Sequence, residues 1–239
     1  MCKSGVPNTQ VIHVVARAHA PEGHTVLPGT PWRVVPESAG DNRSQRHKID
    51  TCMETHQLLI LNGASSAGKT ALCKKLQEVL EEPYIHLEED RFVFNTYHAR
   101  FLEGELAPQI FRKSMLGYYR SLRAFLSAGH NILADTGFYT PELLRECVSE
   151  LRDEKVWLIG VHCSVEELER RERARGDRQI GLAREQQASI HHSVLYDIEV
   201  DTSVLSLEQC ARIVKRRMKE LESPKAMASL LERLNINNT

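Results

Sequence analysis

Long apolar runs, paired cysteines and an excess of one charge are all missing from this chain. No stretch approaches the ~20 apolar residues of a membrane span, and no apolar secretory segment opens the sequence. The 31 basic residues nearly balance the 32 acidic ones, so no overall field attracts nucleic acid or an anionic membrane. We therefore expect a cytoplasmic protein that acts on small molecules and binds neither nucleic acid nor membrane.

The six cysteines are spread singly, with no C-x-x-C pair and no spacing typical of zinc ligands. We expect reduced thiols. Cys73 and Cys163 fall within apolar patterns, where a cysteine behaves as a small hydrophobic residue. Neither a structural zinc site nor a catalytic thiol is therefore expected.

Sustained periodicity is also missing from residues 1–55, which hold five of the nine prolines and only short apolar segments. This composition predicts a flexible or loosely attached N-terminal extension. A sharper hypothesis is that Met53 is the native start and that the residues before it extend the reading frame upstream.

The stretch from residue 58 to residue 80 joins an apolar strand, Leu58–Leu61, to a glycine-rich loop and then to an amphipathic helix. The loop matches G-x-x-x-x-G-K-[ST], in which glycines let backbone N–H groups close around a phosphate. An ordinary Gly/Ser turn is the alternative, but the strand and helix are the context that a phosphate-binding loop requires. We predict nucleotide binding by Gly63, Ala64, Ser65, Ser66, Ala67, Gly68, Lys69 and Thr70.

Two side chains of this loop have specific expected roles. Lys69 is expected to lie against the β- and γ-phosphates as a point charge. The Thr70 hydroxyl is expected to join the shell of Mg²⁺, which prefers hard oxygen ligands. The predicted cofactors are thus ATP and Mg²⁺, although the loop does not distinguish ATP from another nucleoside triphosphate.

From Gln57 onward, strand and helix signals alternate, which predicts an α/β fold with a parallel sheet and helices on both faces. Five strands are expected, near residues 58–61, 83–87, 132–134, 156–161 and 195–200. Helices are expected over the second half of 91–129, over 179–192, and from Ser206 to about Leu221. The expected domains are the extension over 1–55, a catalytic domain over 56–222, and a short helix and tail over 223–239.

Asp135 ends the third predicted strand, where a carboxylate reaches the crevice at the carboxyl edge of a parallel sheet. We expect it to hold Mg²⁺ through water or to touch the acceptor, although such aspartates also serve as turn caps. Asp90 follows the second strand. Its position alone leaves a catalytic role and an exposed acidic loop about equally supported.

The chain resembles the chloramphenicol phosphotransferase-like kinases over about residues 57–220. The resemblance rests on Leu61–Thr70, on Asp90 after the second strand, and on three later segments: Gly160–Cys163, Glu172–Arg178 and Val194–Thr202. It implies a three-layer P-loop fold of the kinase type, with a five-stranded parallel sheet and an arginine-bearing lid. The segment 91–129, which shapes the acceptor pocket in such enzymes, has no clear match to the chloramphenicol enzyme.

The resemblance also implies an activity, the transfer of the γ-phosphoryl of ATP to a hydroxyl of a small molecule. Chloramphenicol or a related antibiotic or metabolite is the candidate, with antibiotic resistance as the consequence. Asp90 matches the catalytic carboxylate of the family. Arg175 and Arg178 flank a glycine that lets the lid bend, so we expect both guanidinium groups to reach the triphosphate. By family analogy, residues 201–203 adjoin the adenine.

Other interpretations remain open from the residues. A kinase of a nucleoside, sugar or peptidoglycan precursor would share the loop and the lid. A nucleotide-dependent switch is a rival of another class, although no Asn-Lys-x-Asp guanine motif is present. Arg170, Arg171 and Arg173 are expected to lie on a solvated helix face. The oligomeric state is not indicated.

Overall fold

Five short, mostly apolar segments form one parallel sheet in a computed structural model that describes residues 56–94, 107–175 and 181–236. The strands are β1 (Leu58–Asn62), β2 (Tyr84–Glu88), β3 (Asn131–Thr136), β4 (Val156–His162) and β5 (Ile198–Asp201). Their order across the sheet is β2-β3-β1-β4-β5, and all four neighbouring pairs are parallel. The predicted five-stranded parallel sheet is confirmed.

Helices connect the strands and follow the last one. They are α1 (Lys69–Val79), α2 (Glu89–Phe94), α3 (Ala107–Ser127), α4 (Pro141–Glu150), α5 (Val165–Arg175), α6 (Leu182–Gln187), α7 (Leu207–Leu221) and α8 (Ala226–Arg233). Within the described ranges, no helix combines the length and the apolar character needed to cross a membrane.

The central strand β1 explains why the fold has three layers. All five of its residues are buried, and successive side chains of a strand point to opposite faces. Leu58 and Ile60 join a core cluster with residues of α3, α4 and α8, whereas Leu59 and Leu61 join a second cluster with residues of α1 and α7. Each face of the sheet is therefore covered by helices.

Two helix starts follow the local signals in the sequence. Thr140 accepts a hydrogen bond from the Leu143 N–H through its side chain, at 3.4 Å, and α4 begins at the following proline. Ser206 and Gln209 form a reciprocal capping box at the start of α7. The predicted helix start at Ser206 is confirmed.

The prediction of one helix over 179–192 is wrong in extent. Within the described residues only Leu182–Gln187 is helical, and the chain then passes through turns to β5, which begins at Ile198. The side chain of His191 lies against the sheet: its ring centroid is 4.1 Å from that of His162 in β4, and its Nδ1 lies 2.7 Å from the Tyr196 hydroxyl. Tertiary contacts thus end a helix that local spacing alone would continue.

Several predictions fall outside the described residues. They concern the extension over 1–55 with the Met53 start, the first part of the acceptor segment over 95–106, and the lid around Arg178. These remain predictions.

The carboxyl ends of the strands define where a ligand site is expected. β1 lies between β3 and β4, with Asn62 aligned to Thr136 on one side and Gly160 on the other. β2 and β3 lie on one side of β1, whereas β4 and β5 lie on the other. The strand order therefore reverses beside β1, and such a position is a topological switch point. The glycine-rich loop begins at that point.

Candidate active site

The loop over residues 63–68 depends on its two glycines. A Cβ on Gly63 would lie 2.4 Å from the Val161 carbonyl oxygen, so only glycine allows this approach to β4. Gly68 has φ +92°, a left-handed conformation that favours glycine, and α1 begins directly after it. The backbone N–H groups of the loop therefore lie at the N-terminus of α1, which is the positive end of the helix dipole. Ala64 and Ala67, which also belong to the loop, are fully buried.

Lys69 lies across the loop. Its ammonium donates to the Gly63 carbonyl at 2.8 Å and the Ala64 carbonyl at 3.1 Å, and it lies 3.9 Å from Asp135 Oδ1. This arrangement places one positive charge at the position where the loop would hold phosphate oxygens.

The structure brings Thr70 and Asp135 together. The Thr70 hydroxyl donates to Asp135 Oδ2, and Asp135 is 6% exposed. Burial acts to raise the pKa of Asp135, but nearby His86, Lys69 and Thr70 outweigh it and lower that pKa below its ordinary value. The pair therefore offers a hydroxyl and an ionised carboxylate, the hard oxygen donors that Mg²⁺ prefers.

These two residues fit a magnesium ion that takes most of its ligands from elsewhere. Among the described residues, no group of three or more His, Cys, Asp or Glu side chains is arranged to hold a metal. Mg²⁺ in phosphoryl-transfer sites keeps several waters and binds substrate phosphates. A site with two protein oxygens beside a phosphate loop suits such coordination, in which waters and phosphate oxygens supply the remaining ligands.

One cavity of about 1150 Å³ joins these groups to the second strand. Asp90 lies in the first turn of α2, which begins directly after β2, and it lines this cavity. Lys69, Thr70 and Asp135 line the same cavity. Seven of the predicted site residues, these four together with Ser65, Ser66 and Gly68, therefore share one space, although they come from distant parts of the chain.

The lid arginines are described only in part. Arg175 is the last residue of α5, and the position of its side chain lies outside the described part of the chain, as does the whole of Arg178. Their expected contact with the triphosphate remains a prediction.

The expectation of a solvated Arg171 is wrong. Its guanidinium donates to the Ser66 carbonyl at 3.3 Å and to the Thr202 hydroxyl and carbonyl at 3.0 and 2.7 Å. The Thr202 hydroxyl in turn donates to the Ala67 carbonyl at 2.7 Å. Arg171 therefore ties the phosphate loop to the loop after β5, whereas Arg170 and Arg173 keep exposed side chains.

The place of Arg171 on its folded helix explains why it points inward. It lies between Leu168 and Glu172 on the helix, both fully buried, and it pairs with Glu167 at i−4. Helical spacing therefore turns this arginine inward, while its neighbours point to solvent.

Two buried glutamates were not identified from the sequence. Glu89 is 5% exposed, and it accepts hydrogen bonds from the Thr136 hydroxyl, the Gly137 N–H and the Tyr139 hydroxyl. Glu172 is fully buried and accepts from the N–H groups of Gly181 and Ala183 at the start of α6. Burial of a carboxylate is not visible in local sequence, because it depends on donors supplied by another segment.

α6 also contacts the phosphate loop. The Gln186 side-chain carbonyl accepts a hydrogen bond from the Ser65 N–H at 2.7 Å. Ser65 N–H is one of the donors that the motif provides for phosphate oxygens. The Gln186 side chain therefore accepts the hydrogen bond that the Ser65 N–H would otherwise donate to a phosphate oxygen of the nucleotide.

The remaining part of the cavity is apolar and aromatic. Val93, Phe111 and Tyr139 line it together with Asp90. The Phe111 and Tyr139 ring centroids are 6.3 Å apart. We call this part of the cavity, lined by Glu89, Asp90, Val93, Phe111 and Tyr139, the acceptor half, and the part around the phosphate loop the nucleotide half.

Asn62, the last residue of β1, links the two halves. Its Oδ1 accepts from the Phe138 N–H at 2.8 Å, and its Nδ2 donates to the Ile190 carbonyl at 2.9 Å. One buried amide thus fixes the loop after β3 and the segment after α6 to the start of the phosphate loop.

Solved structures with the same fold include an APS kinase and a tunicamycin resistance protein. The Mycobacterium tuberculosis APS kinase, solved with AMPPNP and APS, gives a TM-score of 0.54 at 13% identity, covering 69% of this chain and 98% of that one. The tunicamycin resistance protein of Deinococcus radiodurans gives 0.51 at 16% identity, covering 70% and 95%. At these identities the likeness establishes the fold.

Curated relatives and a sequence model of the family establish more. Proteins named "Putative O-phosphotransferase" from the CDC 1551 and H37Rv strains of Mycobacterium tuberculosis are each 30% identical to this chain over 203 residues. Each match covers 76% of this chain and 90% of the relative. The model for chloramphenicol phosphotransferase-like proteins matches residues 56–219. On this match the chain belongs to the chloramphenicol phosphotransferase-like family of P-loop phosphotransferases.

Proposed function

We propose that this protein is an ATP-dependent O-phosphotransferase that moves the γ-phosphoryl group to a hydroxyl of a small molecule, with chloramphenicol or a related antibiotic or metabolite as candidate acceptor. The observation that carries the proposal is that the phosphate loop and Asp90 line one cavity. Phosphoryl transfer asks mainly for positioning and charge neutralisation, and a shared cavity supplies both. The proposal assigns catalysis to residues 56–222.

In the nucleotide half, the loop N–H groups and the Lys69 ammonium bind the triphosphate oxygens. Binding requires Lys69 to leave the Gly63 and Ala64 carbonyls and turn to the β- and γ-phosphates. Arg175 and Arg178 add positive charge as the lid closes over the phosphates. The Arg171–Thr202 contact supports the side of the loop where the adenine is expected.

Thr70 and Asp135 would hold the Mg²⁺ of the nucleotide. Bound there, the metal would supply positive charge against the negative charge that develops on the phosphate oxygens. Lys69, 3.9 Å from Asp135, keeps the local charge balanced before the nucleotide arrives.

In the acceptor half, Asp90 orients the acceptor hydroxyl and takes its proton. The acceptor oxygen forms a bond to the γ-phosphorus, and the bond from that phosphorus to the β–γ bridging oxygen breaks. ADP leaves with that oxygen, and the product is a phosphate monoester. The apolar walls formed by Phe111 and Val93 support an acceptor with an apolar body beside its hydroxyl.

The test is an acceptor screen with labelled ATP and Mg²⁺. The panel contains chloramphenicol, nucleosides, sugars and a peptidoglycan precursor, and the product is identified by mass. Phosphate transfer to an alcohol supports the proposal, and the identity of that alcohol selects among the kinase alternatives. ATP consumption that no alcohol stimulates and that only a protein partner increases would establish the switch instead. The Lys69→Ala variant must lose any genuine transfer.

Asp90→Asn tests the acceptor side separately. We expect turnover to fall by about 10²–10⁴-fold while ATP binding stays within about twofold, because the amide cannot take the proton. Isothermal titration with an ATP analogue and steady-state kinetics measure the two quantities. The matched control is Asp153→Asn, a change of an aspartate whose side chain is 67% exposed. Turnover that Asp90→Asn leaves unchanged would contradict the assignment.

A further inference from the structure

Within the described residues, the Glu89 side chain accepts all its hydrogen bonds from one short segment, residues 136–139, at the end of β3 and just after it. Tyr139 donates to Oε1 at 2.6 Å, while the Thr136 hydroxyl and the Gly137 N–H, the latter at 2.9 Å, donate to Oε2. Both carboxylate oxygens are therefore engaged by the same loop. Removing this one side chain would release three donors at once.

The shape of that loop shows what Glu89 holds in place. A Cβ on Gly137 would lie 2.4 Å from the Tyr139 ring, so the ring is folded back over the glycine. The Phe138 N–H, between them, is fixed to Asn62. This fold directs the Tyr139 hydroxyl to Glu89 and leaves the ring lining the cavity near Phe111. The position of one wall of the acceptor half therefore depends on Glu89.

Packing alone does not account for a carboxylate at this position. Burying a charge is unfavourable, and an apolar side chain of similar size would fill the same space at lower cost. Burial raises the pKa of Glu89 to about 7, even though its hydrogen bonds and Lys69 act to lower it. A costly group that faces the cavity indicates a role in the site.

We propose that Glu89 is a positioning residue for the acceptor. Its hydrogen bonds to residues 136–139 set the Tyr139 wall, and its own fixed position sets the backbone from which the next residue, Asp90, projects into the cavity. The inference deepens the proposed function and rests on it. It assigns to Glu89 the placement of the acceptor, and to the phosphate loop the placement of ATP.

Kinetics with both substrates test this assignment. We expect Glu89→Ala to raise the KM for the acceptor at least tenfold and to lower kcat, while the KM for ATP stays within about twofold. The acceptor is chloramphenicol if the screen finds it to be a substrate, and otherwise the panel alcohol with the highest turnover. An unchanged acceptor KM, or an ATP KM raised equally, would overturn the inference.

The conservative variant Glu89→Gln distinguishes positioning by hydrogen bonds from an effect of charge. The Gln amide oxygen can accept hydrogen bonds from Thr136 and Gly137. Its NH₂ group can donate to the Tyr139 hydroxyl, because a hydroxyl that donates in the native protein can also accept. We expect the acceptor KM to return to within about threefold of the native value. A variant as defective as Glu89→Ala would contradict positioning by hydrogen bonds.

Glu172→Gln is the matched control, because it changes the other buried glutamate, which holds the start of α6 in the nucleotide half. Any kinetic effect should fall on the KM for ATP. An acceptor KM raised as much as in Glu89→Ala would show that loss of any buried glutamate produces the defect, and the inference would fail.

Hydrogen–deuterium exchange separates failure of the inference from failure of the proposed function. The peptide covering residues 136–139 should exchange faster in Glu89→Ala than in the native protein, whether or not an acceptor is known. Native exchange in that peptide would overturn the inference by itself. If the native protein phosphorylates no alcohol, the proposed function fails, and the positioning role fails with it. Should Glu89→Ala not fold, Tyr139→Phe, which removes one of the three donors, takes its place in the same measurements.

Discussion

The buried Glu89 lines the acceptor half, whereas the buried Glu172 holds the start of α6, a helix that lines the nucleotide half, and the two glutamates differ in their hydrogen-bond partners. Glu172 accepts one backbone N–H on each carboxylate oxygen. Glu89 accepts hydrogen bonds from two hydroxyls and one backbone N–H. It also lines the cavity, whereas Glu172 does not. A backbone N–H can only donate, but a hydroxyl can donate or accept.

This difference separates a structural carboxylate from an adaptable one. Both partners of Glu172 among the described residues are backbone N–H groups, which can only donate, so the contact fixes where α6 begins. Around Glu89 the partner Tyr139 can adjust to the protonation of the carboxyl group or to an amide in its place. The nucleotide half is therefore held rigidly at this point, and the acceptor half is held by a group whose ionisation changes near neutral pH.

The largest expected effect is on the pH dependence of stability in the acceptor half. Because the pKa of Glu89 rises on folding from 4.5 to about 7, the folded protein keeps a proton that the unfolded chain releases. The free energy of unfolding should therefore fall as pH rises from 4.5 to 7, and the loss should be complete above 7. Glu89→Gln cannot ionise, so it should be more stable than the native protein at pH 8 by roughly 3 kcal/mol.

Urea unfolding at pH 5 and pH 8 measures that difference. At pH 5 the native carboxyl is mostly protonated when folded, and the advantage of the variant should shrink to under about 1 kcal/mol. An advantage of equal size at both pH values would show that packing, and not ionisation, separates the two proteins.

An intermediate effect, of opposite sign, is expected in the nucleotide half. In Glu172→Gln the amide NH₂ must face either the Gly181 or the Ala183 N–H, and neither can accept a hydrogen bond. The free energy of unfolding should fall by about 1–3 kcal/mol, the cost of an unsatisfied buried donor. Urea unfolding at pH 8 checks this. If Glu172→Gln were stabilising there, as Glu89→Gln is expected to be, the proposed distinction between the two glutamates would be wrong.

The smallest effect concerns the contact between α6 and the phosphate loop. A phosphate oxygen must displace the Gln186 carbonyl from the Ser65 N–H, so removing that carbonyl should favour the nucleotide. We expect Gln186→Ala to tighten binding of an ATP analogue about two- to fivefold, because a net hydrogen bond contributes about 0.5–1 kcal/mol.

Isothermal titration calorimetry measures this change. Gln187→Ala is the control, since Gln187 lies on the same helix and its carbonyl oxygen has no hydrogen-bond partner among the described residues. Weaker binding by Gln186→Ala would mean that Gln186 helps to bind the nucleotide.

The fold and the nucleotide half were largely predictable, because their signals are local. The apolar strand, the glycine-rich loop and the amphipathic helix occur in succession, and the glycines meet constraints that the loop conformation imposes. Asp90 was singled out because it matches the catalytic carboxylate of the family. Asp135 was singled out because parallel strands end at a common edge. That reasoning needed only the order of the strands and not their packing.

Arg171, Glu89 and Gln186 were missed for a common reason. Each occurs in a polar stretch whose composition is typical of a solvated surface, and each is engaged by a segment distant in sequence: Arg171 by Thr202, Glu89 by residues 136–139, Gln186 by Ser65. Composition measures the average environment of a stretch. It does not indicate which one of several similar side chains turns inward.

The amino-acid sequence by itself determined the alternation of strands and helices, the phosphate loop and the family, because strand periodicity and glycine conformations depend on neighbours along the chain. The tertiary structure alone decided which carboxylates are buried, which arginine supports the loop and how Tyr139 forms a wall of the cavity. Those outcomes depend on donors and acceptors brought together from separate segments, and the energy of a buried polar group is set by such partners.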